Sequence, residues 1–176
     1  GNSYRPCRYP RSTYAAMISY LDEQVGLLIE QLKEKGIYDN TIIVFTSDNG
    51  ATFNGGTDSP YFNSNGLFDS KAGWGKNSLH EGGVRVPLII SWPAVIDDYR
   101  ESDLICWGCD FLPTFAELIG AGRPQCDGIS LVNEIFGRPQ QEHEYLYWEY
   151  PDGPGQKAVR KGKWKGLLQR IRKGNT

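Results

Sequence analysis

The chain has 176 residues, 39% of them hydrophobic and 23% charged, proportions of a globular protein with one ordinary domain's worth of core. Nineteen basic against twenty-one acidic residues leave a net charge of −2, which argues against the clustered positive footprint of a nucleic-acid binder. No run of eighteen apolar residues offers a membrane span, and the polar start GNSYRPCRYPRS does not read as a signal peptide.

In chain order, the first strong signal is a helix over residues 12–35. Met17, Leu21, Val25, Leu28 and Leu32 recur at spacings of four and three, which is one helical face. Ser12 is the expected N-cap, Lys33 and Lys35 suit the C-terminal dipole, and Gly36 stops the helix. NTIIVFTSD then reads as a short β-branched strand, expected to be buried on both faces. Helix, short turn and buried strand are the grammar of an α/β sheet.

From Gly50 to Gly83 the chain holds eight glycines and little periodicity. Structureless loops beyond about 12–15 residues in a compact domain are usually functional or disordered. Phe62, Phe68 and Trp74 within this one favour an ordered functional loop. Glu81, Gly82 and Gly83 form a tight turn feeding the strand VRVPLIISWP. DFLPTFAELIGA predicts a short helix ending near Gly120, with Pro113 in its first turn. YLYWEY, QKAVRKG and KWKGLLQ predict an antiparallel meander.

The expected division is 1–122, the C-terminal part of an α/β domain, and 123–176, a small β-rich subdomain. Only two strands of the α/β type are found, where such sheets average about five or six. The chain therefore reads as a piece of something larger. The basic C-terminal stretch RKGKWKGLLQRIRKGNT reads as a solvated strand and tail.

Two residues carry the sharpest chemistry. Asp48 and Asn49 stand just past a strand end, where ligands bind in open α/β sheets. A carboxylate beside an amide carbonyl is an oxygen pair suited to Ca²⁺ or Mg²⁺. An Asx turn that binds nothing is the competing reading. Lys76, in GWGKNSLHEGG, could hold one oxygen of a tetrahedral anion as a point charge, or could be an ordinary solvated cation. Cys7, Cys106, Cys109 and Cys126 permit three disulfide pairings. The CWGC of Cys106 and Cys109 lacks a second CxxC, and neither His80 nor His143 sits at ligand spacing to it, so structural or disulfide roles are expected.

The segment YAAMISYLDEQVGLLIEQLKEKGIYDNTIIVFTSDNG, followed by GKNSLHEGGVRVPLIISWP, resembles the sulfatase family of the alkaline-phosphatase-like superfamily. DFLPTFAELIGA, DGISL, YLYWEY and KAVRKGKWK resemble later segments of that family in the same order, closest to its arylsulfatase and N-acetylgalactosamine-6-sulfatase-like branch. The likeness covers roughly residues 11–168.

The resemblance implies an alkaline-phosphatase-like mixed sheet flanked by helices, with the small antiparallel subdomain after it. Asp48 and Asn49 then match two ligands of a divalent cation, usually calcium, and Lys76 matches the lysine that contacts the substrate sulfate. Lys71 is the competing candidate, because LFDSKAGWGK lengthens the approach to Lys76. The family's nucleophile is a formylglycine made from a C/S-x-P-x-R motif, whose hydrate attacks sulfur while the metal and cations stabilise the sulfate oxygens. Cys7, in CRYPR, carries its proline at the third place instead of the second and is not a match.

The nucleophile and the remaining ligands are therefore expected in a missing N-terminal part of the same enzyme, with this chain inactive alone. The implied substrate is a sulfated carbohydrate or aryl sulfate, and the implied setting is exported: periplasmic, lysosomal or secreted. A phosphatase or phosphodiesterase of the same superfamily, or a non-catalytic module with a vestigial site, are the alternatives.

Overall fold

A computed structural model describes residues 5–68 and 74–171. The first helix, α1 (Pro10–Glu34), starts two residues earlier than expected, with Tyr9 at the N-cap and no side-chain cap bond. Ser12 is inside the helix, because Pro10 is pre-set for the first helical position and loses no hydrogen bond there. The stop is as anticipated: Lys35 is the C-cap, and Gly36 follows at φ +66°.

The predicted apolar face of α1 is not buried. Met17 is 63% and Leu28 67% exposed, and Val25 and Leu32 are only half-buried. No described helix or strand packs along it. The helix is instead held at its N-terminal end. Arg11 Nε donates to Asp58 Oδ2 at 2.7 Å and its guanidinium lies 3.9 Å over the Tyr61 ring. Tyr14 meets Phe62 edge-on at 5.2 Å.

The strand after it, β1 (Ile43–Thr46), pairs antiparallel with β2 (Leu88–Ser91), in the register Ile43↔Ser91 to Thr46↔Leu88. Two strands cannot enclose each other. Ile43 and Val44 are half-buried and Phe45 and Thr46 exposed, which corrects the expectation of a strand buried on both faces. The register has a functional result. The chain leaves β1 as Ser47-Asp48-Asn49 at the edge where it enters β2 from the glycine-rich loop, so those two segments must adjoin. Thr46 Oγ1 donates to Pro87 O at 2.8 Å and closes that end.

The core lies elsewhere, around α4 (Phe111–Leu118), α5 (Val132–Ile135) and a three-stranded antiparallel meander. The meander is β3 (Leu146–Tyr150), β4 (Gln156–Lys161) and β5 (Trp164–Gln169), in spatial order β3-β4-β5, as the sequence predicts. Leu131, Val132, Ile135, Leu146 and Ala158 are buried here. Each of the larger ones contributes about 1.5–3 kcal/mol of burial free energy.

One charged residue, Asp110, is fully buried among them. Its Oδ2 accepts from Trp107 N at 2.9 Å, and its Oδ1 accepts from Ile129 N at 2.8 Å and lies 2.8 Å from His143 Nε2. Thr114 Oγ1 donates to Asp110 O and accepts from Leu131 N. One carboxylate thus ties a turn, the chain after α4 and the approach to the meander. Replacing Asp110 with Ala leaves these donors buried and unpaired, so D110A is expected to cost about 3–5 kcal/mol, read as a lower urea midpoint.

Candidate functional site

Asp48 and Asn49 follow β1 directly. Ser47 Oγ donates to Asn49 O at 2.8 Å, and Asn49 Nδ2 donates to Gly50 O at 3.0 Å. Tying back the amide nitrogen leaves Asn49 Oδ1 as an open acceptor among the described residues. The Asp48 carboxylate is exposed, and among the described residues it accepts no hydrogen bond and forms no ion pair, including the one an Asx turn would need. The pair therefore offers hard oxygen donors, the set that Ca²⁺ or Mg²⁺ prefers. No cluster of three or more His, Cys, Asp or Glu able to hold a metal occurs among the described residues. Two donors from one strand end could supply only part of a coordination shell.

The glycine-rich loop is built against that strand end by backbone contacts. Gly50 N donates to Gly83 O at 2.9 Å, and Lys76 N donates to Ala51 O at 2.8 Å. A Cβ on Gly50 would overlap the Gly82 carbonyl oxygen, and one on Gly83 would overlap those of Ser78 and Gly75. Only glycine allows backbones this close. Glu81–Val84, read from the sequence as a turn, is one turn of helix, α3. Between them, α2 (Ser59–Phe62) is seated by Ser59, whose hydroxyl donates to Thr52 O, and buried Asn65 accepts from Ala51 N at 3.2 Å.

Lys76 is exposed and makes no ion pair with a described residue. Its main chain sits against Ala51, three residues past Asp48, so the fold brings the Lys76 loop to the Asp48–Asn49 end. Lys71 lies outside the described residues. Cys7 is remote in role: its exposed thiol is 3.1 Å from Thr13 Oγ1, and that hydrogen bond, with one to Tyr9, lowers its pKa. All four cysteines are unpaired thiols. Burial, with Asp110 second, raises the pKa of both Cys106 and Cys109 and leaves them poor nucleophiles.

Several contributors gave no local signal in the sequence. Gln156 of β4 donates through Nε2 to Asn77 O at 3.0 Å and accepts through Oε1 from Leu79 N at 3.1 Å. Glu81 takes Lys165 Nζ at 2.8 Å on one oxygen and Arg160 Nη1 at 3.3 Å on the other. His80 stacks on Trp74 with ring centroids 4.0 Å apart, and its Nε2 lies 3.0 Å from Gln169 Nε2. Apart from the Trp74 stack, these partners are 77 to 89 residues apart in sequence, beyond the reach of any periodicity. A separate groove of about 360 Å³, lined by Tyr38, Trp92 and Tyr99 among others, lies at the opposite end of β2.

Comparison with known proteins settles the family. The sulfatase family model matches residues 2–121. Choline-sulfatase of Rhizobium meliloti (strain 1021) is 33% identical over 165 residues, covering 90% of this chain and 28% of the relative. Human arylsulfatase A is 32% identical over 163 residues, covering 90% of this chain and 31% of that protein. A solved structure of a protein in complex with its substrate D-glucosamine-2-N,6-O-disulfate superposes with a TM-score of 0.68 at 28% identity, covering 85% of this chain and 29% of the other. The chain belongs to the sulfatase family, and its α/β part with the antiparallel meander is a portion of the alkaline-phosphatase-like fold. It spans about a third or less of the length of these relatives.

The stack also has a pH signature. Burial, and second the nearby charge of Lys165, lower the His80 pKa below its ordinary 6.5. As pH falls through 6.5 the unfolded chain takes up this proton before the folded one, so folding loses stability on acidification. Replacing His80 with Gln is expected to flatten the stability profile below that pH, measured by denaturant unfolding at a series of pH values.

Proposed function

We propose that this chain supplies part of the active site of a sulfuric ester hydrolase acting on sulfated sugars or aryl sulfates. The observation that carries the reading is the Lys76 N–H to Ala51 O hydrogen bond, which fastens the lysine's loop beside the Asp48–Asn49 strand end. Asp48 and Asn49 would hold a divalent cation, Ca²⁺ or Mg²⁺, through their side-chain oxygens. When bound, that ion withdraws charge from the sulfate oxygens. Lys76 places an ammonium against the same sulfate group and orients it, a preorganised electrostatic role that needs no proton transfer. The exposed Asp48 carboxylate and Lys76 leave that region open to an ester brought in from solvent.

The formylglycine nucleophile and the remaining metal ligands belong, on the family resemblance, to polypeptide outside this chain, in an exported enzyme. Within the chain, residues 1–122 carry the site, and 123–176 form the β-rich part that supports it. No described helix is long and apolar enough to cross a membrane. The substrate class draws support from the relative bound to a disulfated glucosamine.

The chain alone, incubated with an aryl sulfate and Ca²⁺, is expected to give no turnover above background. In the protein completed with its nucleophile-bearing part, Lys76→Ala is expected to lower kcat/KM by about 10²–10³-fold. Turnover by the isolated chain, or full activity of the K76A protein, would overturn the assignment.

A further inference from the structure

The meander contributes no metal ligand and no sulfate contact to the site described above, yet four of its side chains converge on one short segment. Gln156 holds Asn77 and Leu79, Gln169 meets His80, and Arg160 and Lys165 share Glu81. The Gln156 contact differs in kind from the others. Its amide gives a donor to the Asn77 carbonyl and an acceptor to the Leu79 N–H, so one side chain satisfies the two main-chain groups that flank Ser78. It thereby braces the C-terminal side of the Gly75–Ser78 turn that carries Lys76. Asn77 within that turn has φ +70°, a left-handed conformation that asparagine tolerates better than most other side chains.

On its other side the turn is fixed by Lys76 N to Ala51 O and by Ser78 N to Gly75 O at 3.1 Å. Lys76 therefore stands between two clamps, the strand end at Ala51 and the Gln156 amide. We infer that Gln156 is a positioning residue that fixes Lys76 for the sulfate, so that the meander is a working part of the anion site. This rests on reading Lys76 as the sulfate contact. The physical basis is entropic: a long flexible cation binds an anion weakly unless its backbone is already held.

The test uses the chain as it stands, ¹⁵N-labelled, with inorganic sulfate as the probe and the Lys76 amide resonance as the reporter. Gln156→Ala is expected to speed amide hydrogen exchange at Lys76 and Leu79 by roughly tenfold while sparing Val132 in the distant core, and to weaken sulfate binding by a similar factor. Gln156→Glu supplies a conservative rescue. Ionised, it keeps the acceptor for Leu79 but loses the donor to Asn77. Protonated, it is isosteric with glutamine. Relative to wild type at each pH, Q156E should regain protection and sulfate affinity as pH falls through the ordinary Glu value of about 4.3. His80, Glu81, Arg160 and Lys165 stand beside this segment in both proteins, so their contributions cancel in the ratio.

Unchanged sulfate affinity in Q156A overturns the inference and leaves Lys76 as the contact. A uniform rise in exchange across the chain, Val132 included, also overturns it, because Gln156 is then only a general support. A wild-type chain whose Lys76 resonance ignores sulfate overturns the lysine assignment, and the inference with it.

Discussion

The site depends on how closely two stretches of main chain can approach. Gly50 and Gly83 share a hydrogen bond, Ala51 accepts from Lys76, and the space between them is too small for a methyl group. No side-chain contact could bring the ends of β1 and the glycine-rich loop this near. Because β1 and β2 are antiparallel neighbours, the loop that precedes β2 has to return to the point where β1 ends. The glycines convert that topological proximity into direct contact. Asp48, Asn49 and Lys76 occupy one region because their backbones are locked together first.

A second layer holds the loop from outside. The Glu81 pairs with Lys165 and Arg160 are partly buried, with side-chain exposures between 16% and 30%. They are better placed to order the loop than the fully surface-exposed Lys161–Glu144 pair. The geometry gives the meander and the α/β part a common interface at residues 77–81. Asp110 fixes the neighbouring layer by giving three partly buried donors an acceptor, so that α4, the chain after it and His143 keep one arrangement.

Much of this was legible in the sequence, for reasons that differ by element. The meander strands were found because alternation and turn residues are local. The stop of α1 at Gly36 was found because a left-handed residue there admits little else. The start of α1 was misplaced by the attraction of a serine cap over a proline at the first helical position. The burial of α1 and β1 was overestimated because periodicity reports which face is apolar and cannot report whether anything covers it. Asp48, Asn49 and Lys76 could be singled out by motif, but their proximity required the β1–β2 register. Gln156 and Asp110 were invisible, since a glutamine opening a strand and an aspartate opening a helix look alike whether solvated or structural.

Locking the site together through main-chain atoms also separates two kinds of freedom. Peptide groups are the same at every position, so the Lys76–Ala51 and Gly50–Gly83 bonds do not depend on which side chain stands at Ala51. The glycines are the fixed points of such an arrangement, since a Cβ at Gly50 or Gly83 would overlap a facing carbonyl. A fold assembled this way can vary its surface side chains while leaving Asp48 and Lys76 where they were.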